Sequence, residues 1–338
     1  MKTFAYIVSP TNIKQLKNLW PAVKFVPNFF LKPSLKNVSC FKLAHIKDVR
    51  SSRGKEIQGY IIACPFLAQQ TPKSDQSFIR DKIRASTQMA EQLGAGILGL
   101  DGYASILSDK NIHLSPHLKI PVTTGSALTA WSVIEAIYRT CKAKNISLLE
   151  STLAVIGATG AVGSLCARKL AEYVPKIILN AEHKDKLAQL KENIQHLNPI
   201  EVLIEEDAPK MLKEADILVN TVSLREKTLN IEELKSKAIV CDVSPDRNLI
   251  SKAHQRQDIT IIEAGLIKLP CPTDLRINLD LPKDVIPASL AETMLLAFEE
   301  RLVSYSLGEN INLDKLEEIA NIAVRHGLEV WVPGAPVL

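Results

Sequence analysis

Residues 157–163 read Gly157-Ala158-Thr159-Gly160-Ala161-Val162-Gly163, directly after the apolar run 153–156 and directly before a stretch holding Leu165, Ala167 and Leu170. Three glycines at this spacing, between a strand pattern and a helix pattern, are what a phosphate-cradling turn needs. The first permits a tight turn, the second lets the backbone approach a pyrophosphate, and the third lets the helix pack closely on the strand. The expected ligand is a nicotinamide dinucleotide, with all seven residues as its cradle. About 20 residues further on, where the ribose is expected, the chain reads Asn180-Ala181-Glu182-His183-Lys184. Glu182 is the candidate for the ribose hydroxyls. Its charge repels a 2′-phosphate, so the reading leans to NAD over NADP, with His183 and Lys184 as groups able to offset that repulsion. Val222, in Asn220-Thr221-Val222-Ser223, and Ser244, in Asp242-Val243-Ser244-Pro245, follow two later strand patterns where loops border the nicotinamide.

These residues need a scaffold, and the periodicity supplies one. From 153 onward, short β-rich runs at 153–156, 176–179, 201–204, 216–220, 238–242 and 260–263 alternate with helical or loop stretches, which predicts a parallel, doubly wound Rossmann sheet. Before it, strand patterns at 4–8, 59–64 and 96–100 and helical patterns at 14–20 and 78–93 predict a separate N-terminal α/β lobe. A helix over 128–144, with Leu128, Trp131, Ile134, Ile137 and Cys141 at spacings of three and four, is expected to join the two. A proline-bearing loop (Pro270, Pro272, Pro282, Pro287) leads into a helix over 289–302. The last helix, 313–325, stops at His326-Gly327, where glycine suits the C-terminal cap. The expected fold class is α/β: an N-terminal substrate lobe at 1–127, a connecting helix at 128–150, the dinucleotide domain at 151–288 and C-terminal helices at 289–338.

The 338 residues exceed the usual size of one domain, and 46% are apolar against 23% charged, an ordinary balance for a water-soluble globular chain. No apolar run approaches the roughly 20 residues that cross a bilayer, and Pro10 interrupts the N-terminal one. Six scattered cysteines without a CxxC pair suit neither a zinc site nor a secreted disulfide framework, so no metal is expected and a reducing cytoplasm is the expected location. Residues 1–60 hold eleven Lys or Arg against Asp48 and Glu56, interleaved with Trp20, Phe25, Phe29, Phe30 and Phe41. A face of that kind suits an acidic carrier protein or a membrane surface. The plainer expectation is solvated lysines over a buried aromatic core. Nothing resembles a nucleic-acid recognition motif, and the oligomeric state is left open.

Four segments, Val122-Thr123-Thr124-Gly125, Val155-Ile156-Gly157-Ala158-Thr159-Gly160, Ala291-Glu292-Thr293-Met294-Leu295-Leu296-Ala297-Phe298-Glu299 and Ala323-Val324-Arg325-His326-Gly327, resemble in order and spacing the long-chain acyl-[acyl-carrier-protein] reductase family. The wider group is also described as predicted amino-acid or shikimate-type dehydrogenases. The resemblance implies a cytoplasmic enzyme that reduces a fatty acyl thioester to an aldehyde with a nicotinamide cofactor, taking a small-molecule or acyl-carrier substrate.

Three departures fall at the chemistry. The family's nucleophilic cysteine corresponds to Ser289, its asparagine after Thr-Thr-Gly to Ser126, and an arginine linked to NADP use to Glu182. A serine hydroxyl needs a neighbouring base to act as a nucleophile, and none is adjacent in sequence. Ser289 followed by Glu292 also matches a capping box, so a plain helix cap is the simpler expectation. Cys271, between Pro270 and Pro272, is a second candidate thiol, weighed against a bystander role. Thr124, Ser126 and Ser289 are the candidate donors to a carbonyl oxygen, with Tyr103, Ser105 and His326 as further polar groups; His326 is expected to serve the helix-end carbonyls. The leading reading is an NAD(P)-dependent oxidoreductase acting on an acyl thioester, aldehyde or other carbonyl. The alternative is a catalytically weak NAD-binding sensor or scaffold that has lost the thioester nucleophile.

Overall fold

The computed structural model describes residues 2–10, 12–65, 76–101, 119–222, 229–244, 249–250 and 255–332. Tyr103, Ser105, Ser223 and Pro245 lie outside the described residues. The chain forms two compact units: 1–126 with 267–308 and 319–329, and 127–266 with 309–318 and 330–338. Both units are therefore discontinuous in sequence. The segment after 266 returns to the first unit.

In the first unit, β1 (Lys2–Val8), β3 (Glu56–Ala63), β4 (Ile97–Leu100) and β5 (Val122–Thr123) run parallel, with β2 (Phe41–Arg50) antiparallel at the edge, in the order β2-β3-β1-β4-β5. Strand β2 is absent from the sequence reading. Two register shifts and the positive φ of Asp48 break the alternation that would reveal it. The helix Ala288–Phe298 packs on β1, β3 and β4. All its residues are buried except Ser289, including the polar Glu292 and Thr293. Gly99 of β4 makes this close approach possible, since a Cβ there would lie 2.0 Å from Thr293 Oγ1 and 2.7 Å from the Tyr6 ring. The sequence reading extends this helix to 302, but it stops at Phe298, and two short strands, β12 (Leu266–Lys268) and β13 (Val285–Pro287), occupy what reads as loop.

In the second unit, β6 (Thr152–Ile156), β7 (Lys176–Asn180), β8 (Glu201–Ile204), β9 (Ile217–Asn220), β10 (Ile239–Asp242) and β11 (Thr260–Glu263) form a six-stranded, all-parallel sheet in the order β11-β10-β9-β6-β7-β8. Numbered within the unit this is the 3-2-1-4-5-6 order of a doubly wound dinucleotide-binding sheet. The expected α/β Rossmann class and the N-terminal α/β lobe are both present. The helix expected at 128–144 runs Ser126–Lys144.

The final helix, Leu313–Arg325, ends as read. Gly327 has φ +74°, Leu328 N donates to Ala323 O at 2.9 Å and Gly327 N to Val324 O at 3.0 Å, the hydrogen bonds of a Schellman cap. Among the described residues, no helix is long and apolar enough to cross a membrane. Among them too, no cluster of His, Cys, Asp and Glu suits a metal ion.

Candidate functional site

The second unit builds its candidate site at the carboxyl ends of β6, β9 and β10, where ligands of open parallel sheets bind. Gly157 turns the chain with φ +78°; a Cβ would come within 2.4 Å of Thr221 Oγ1 and 2.5 Å of Val222 Cγ1. Gly157 N and Ala158 N both donate to Asn180 O, at 2.8 and 3.1 Å, which ties the turn to the end of β7. A Cβ on Gly163 would sit 2.2 Å from Gly157 O, so this glycine permits the close packing of helix on strand. Gly160 differs, with φ −74° and ordinary contact at 3.4 Å as the nearest approach to its missing Cβ.

Nothing among the described residues requires a glycine at 160. The room left there suits a pyrophosphate pressed against the backbone. Gly160 is also the N-cap of the helix Ala161–Leu170 and offers no side-chain cap. The first-turn N–H groups of Ala161, Val162 and Gly163 thus lack intrahelical acceptors and face an approaching anion at the positive end of the helix dipole. These residues fit a dinucleotide.

Around the turn, Asp242 holds the strand ends together. It accepts from Asn220 Nδ2 at 3.0 Å, Ser244 N at 3.1 Å and Leu249 N at 3.2 Å. Ser244 Oγ and Asn220 Oδ1 are buried without a partner among the described residues. Glu182 is exposed just past β7. Lys184, read as a group able to meet a phosphate, forms an exposed ion pair with Glu206 at 2.6 Å.

The first unit builds a separate polar cluster. Ser289 Oγ lies 2.7 Å from the Tyr6 hydroxyl, and that hydroxyl is also hydrogen-bonded to the Asp101 carboxylate, one residue past β4. Burial, above all, and the Asp101 charge push the Tyr6 phenol well above its ordinary pKa, so it stays protonated at neutral pH. With its proton given to Asp101, Tyr6 accepts from Ser289, and the chain runs hydroxyl to phenol to carboxylate. The base that the sequence does not reveal beside Ser289 therefore reaches it through Tyr6.

The capping-box expectation is corrected. The N-cap is Pro287, no side chain caps the helix, and Glu292, fully buried, accepts from Thr123 Oγ1 instead. Gly125, with φ +73°, packs against Ser289; a Cβ there would lie 2.2 Å from Ser289 Cα. The Thr123-Thr124-Gly125-Ser126 turn is thus pressed onto the start of the Ser289 helix. Thr124 donates its proton to Ser306 O and so must accept from Ser126, 2.9 Å away. Thr124 and Ser126 hold the turn.

The other candidates lie elsewhere in the first unit. The loop carrying Cys271, which is half-buried, approaches Gly327 through Pro270, and Cys271 O accepts from Thr273 Oγ1. His326 does not serve helix-end carbonyls. Its Nε2 meets Glu299 Oε1 at 2.6 Å, and its ring stacks on Phe298 with centroids 5.1 Å apart. Lys55 completes this group through Glu299 Oε1 at 3.2 Å. Tyr6 and Asp101 are the functional candidates the sequence reading missed. An isolated tyrosine in an apolar strand and an aspartate at a strand end carry no spacing signal.

No protein-family model matches the chain. It is 28% identical over 299 residues to the long-chain acyl-[acyl-carrier-protein] reductase of Synechococcus elongatus, covering 83% of this chain and 85% of that protein. It is 24% identical over 289 residues to the aminotransferase PigE of a Serratia species, covering 84% of this chain but 33% of that longer protein. Among solved structures, quinate dehydrogenase from Corynebacterium glutamicum in complex with NAD aligns with 95% of this chain and 99% of its own at 12% identity, with a TM-score of 0.41.

Proposed function

We propose that the chain is an NAD(P)-dependent oxidoreductase acting at a carbonyl or its alcohol, with an acyl thioester or aldehyde as the substrate class. The observation that carries this reading is the Gly157–Gly163 turn. Its first and third glycines are required by contacts within the protein, whereas Gly160 leaves room that a pyrophosphate fits. The 28% identity to an acyl-[acyl-carrier-protein] reductase supports the substrate class. Glu182, exposed at the end of β7, supports NAD over NADP.

When bound, the nicotinamide supplies or accepts a hydride. The residues of this chain supply the rest. The first-turn amides of 161–163 hold the pyrophosphate, Glu182 takes the ribose hydroxyls, and Val222 and Ser244 border the nicotinamide. Ser289 hydrogen-bonds the reacting oxygen. In alcohol oxidation, the substrate proton passes to Ser289 as Ser289 gives its own to Tyr6 and Tyr6 to Asp101. In reduction of an aldehyde or ketone the same three transfers run in reverse and the alkoxide oxygen is protonated; an acyl thioester gives a hemithioacetal in this way, which breaks its C–S bond to release the thiol and the aldehyde. Hydride transfer to an aldehyde or ketone carbonyl needs no covalent intermediate, so serine in place of a thiol at 289 does not bar it.

The test is titration of the purified protein with NADH, followed by NADH oxidation against acyl thioesters, aldehydes and 2-oxo acids. Binding with turnover of one substrate class is the expected result. Absence of NADH and NADPH binding overturns the proposal. Binding without turnover leaves the NAD-binding sensor or scaffold as the function.

A further inference from the structure

The first 47 residues contain eight lysines and no aspartate or glutamate. Within them lie two short helices, Ile13–Leu19 and Asn28–Ser34. Leu16, Leu31 and Leu35 bury a small apolar cluster with Ile13, Trp20, Val23 and Val26 packed against it, so the inner faces are already satisfied. Trp20 adds a contact with Phe41, their ring centroids 4.7 Å apart.

The phenylalanines are surplus to that core. Phe25 is 91% exposed, Phe29 68% and Phe30 58%. The expectation of a buried aromatic core is thereby corrected: three of its five members face solvent. Phe29 and Phe30 lean on each other with centroids 4.0 Å apart, while Lys14 and Lys24 are exposed nearby in sequence.

We propose that this segment is an interfacial anchor that seats the protein on an anionic lipid bilayer, with Phe25, Phe29 and Phe30 entering the headgroup region and the lysines meeting lipid phosphates. Charge complementarity and the geometry of the aromatics choose the partner. A helix that docks in a protein groove aligns its anchors along one stripe at spacings of three and four. Phe29 and Phe30 are consecutive, about 100° apart around the helix, and fit a deformable lipid surface better than a groove. Two copies of this lysine-rich face, on which Asp280 against Asn18 is the acid recorded, repel each other, which argues against self-association through it. Aromatic residues beside lysines on a short amphipathic segment are what an interface-lying anchor requires. The inference is independent of the reaction proposed above.

The full chain is tested by flotation with vesicles of phosphatidylcholine alone and of phosphatidylcholine mixed equally with phosphatidylglycerol. Flotation with the anionic vesicles only, reversed by about 1 M salt, where charges are screened within about 3 Å, is the expected result. The triple substitution Phe25→Ser, Phe29→Ser, Phe30→Ser should lower partitioning on the order of a hundredfold. Replacing Lys14, Lys17 and Lys24 with Gln should lower it about fivefold per lysine. Unchanged far-UV circular dichroism shows that both variants fold. The proposal is overturned if the wild type ignores anionic vesicles, if it binds both compositions equally, or if the variants float like the wild type. It is equally overturned if the segment captures an acidic carrier protein but no vesicle, or if sedimentation shows a dimer that the phenylalanine variant dissolves.

Discussion

The Tyr6 hydroxyl and Ser289 Oγ, 283 positions apart in sequence, lie 2.7 Å from each other, and the same hydroxyl is hydrogen-bonded to Asp101. Tyr6 is a positioning residue in this arrangement, acting on substrate through Ser289. Tyr6→Phe removes the hydroxyl and keeps the ring. It should lower kcat by about 10²–10⁴-fold, the usual worth of acid–base assistance, and flatten the pH profile of kcat, while NADH affinity holds. Ser289→Ala should lose a similar factor, and the double variant should lose little more than either alone, because the two act as one unit. Additive losses in steady-state kinetics would separate the two roles and remove the relay.

The three glycines of the nucleotide turn should respond differently to the same methyl group. In Gly163→Ala the Cβ meets backbone, Gly157 O at 2.2 Å, which cannot give way cheaply; a loss of about 1–3 kcal/mol in denaturant unfolding is expected. Gly157→Ala adds a φ of +78° to its clashes and should cost at least as much. Gly160→Ala meets ordinary contact, so stability should hold while NADH affinity falls by at least about tenfold, roughly 1.4 kcal/mol. A Gly160→Ala protein that binds NADH normally would show that the turn is not where the pyrophosphate sits.

Glu182→Arg exchanges a group that repels a 2′-phosphate for one that attracts it. The ratio of NADPH to NADH affinity should rise by at least about tenfold, a change of roughly 1.4 kcal/mol. Fluorescence titration of both cofactors reads it directly, and an unchanged ratio would take Glu182 out of the ribose site.

Glu299 links acid stability to the buried His326. Its hydrogen bond to His326, aided by Lys55, holds the carboxyl below its ordinary pKa against the opposing effect of burial. A carboxyl whose folded pKa is depressed contributes stability that is fully present above the unfolded value, about 4.3. That contribution is lost as pH falls through the lower folded value. Glu299→Gln should therefore cost about 1–3 kcal/mol near neutral pH and reduce the decline in stability below about pH 5. Chemical denaturation of both proteins across that range measures the difference, and parallel curves would refute the linkage.

Gly125→Ala tests the contact between the Thr-Thr-Gly turn and the helix of Ser289. The added Cβ would fall 2.2 Å from Ser289 Cα at a φ of +73°, so helix and turn must separate. Loss of about 1–3 kcal/mol of stability together with kcat is expected. A variant as active as the wild type would mean that the turn does not position Ser289.

Much of the fold was legible because its signals are local. A strand, a glycine turn and a helix in succession predict a βα unit from spacing alone, since the need for positive φ at Gly157 and for closeness at Gly163 belongs to the turn itself. Alternating strand and helix patterns likewise implied the parallel sheet of the second unit, and Gly327 marked the end of the helix Leu313–Arg325. The edge strand β2 stayed hidden because its bulges disrupt the alternation of side chains between faces.

Tertiary structure alone decided the rest. Whether Ser289 caps its helix or joins a proton chain depends on Tyr6 and Asp101. They reach it only because the helix Ala288–Phe298 packs on β1 and β4. Glu292 turns from the expected cap to Thr123 for the same reason. Phe25, in the turn before the helix Asn28–Ser34, and Phe29 and Phe30 on that helix face solvent because Leu16, Leu31 and Leu35 already fill the small core. Composition counts apolar residues, but the packed chain determines which of them have a partner.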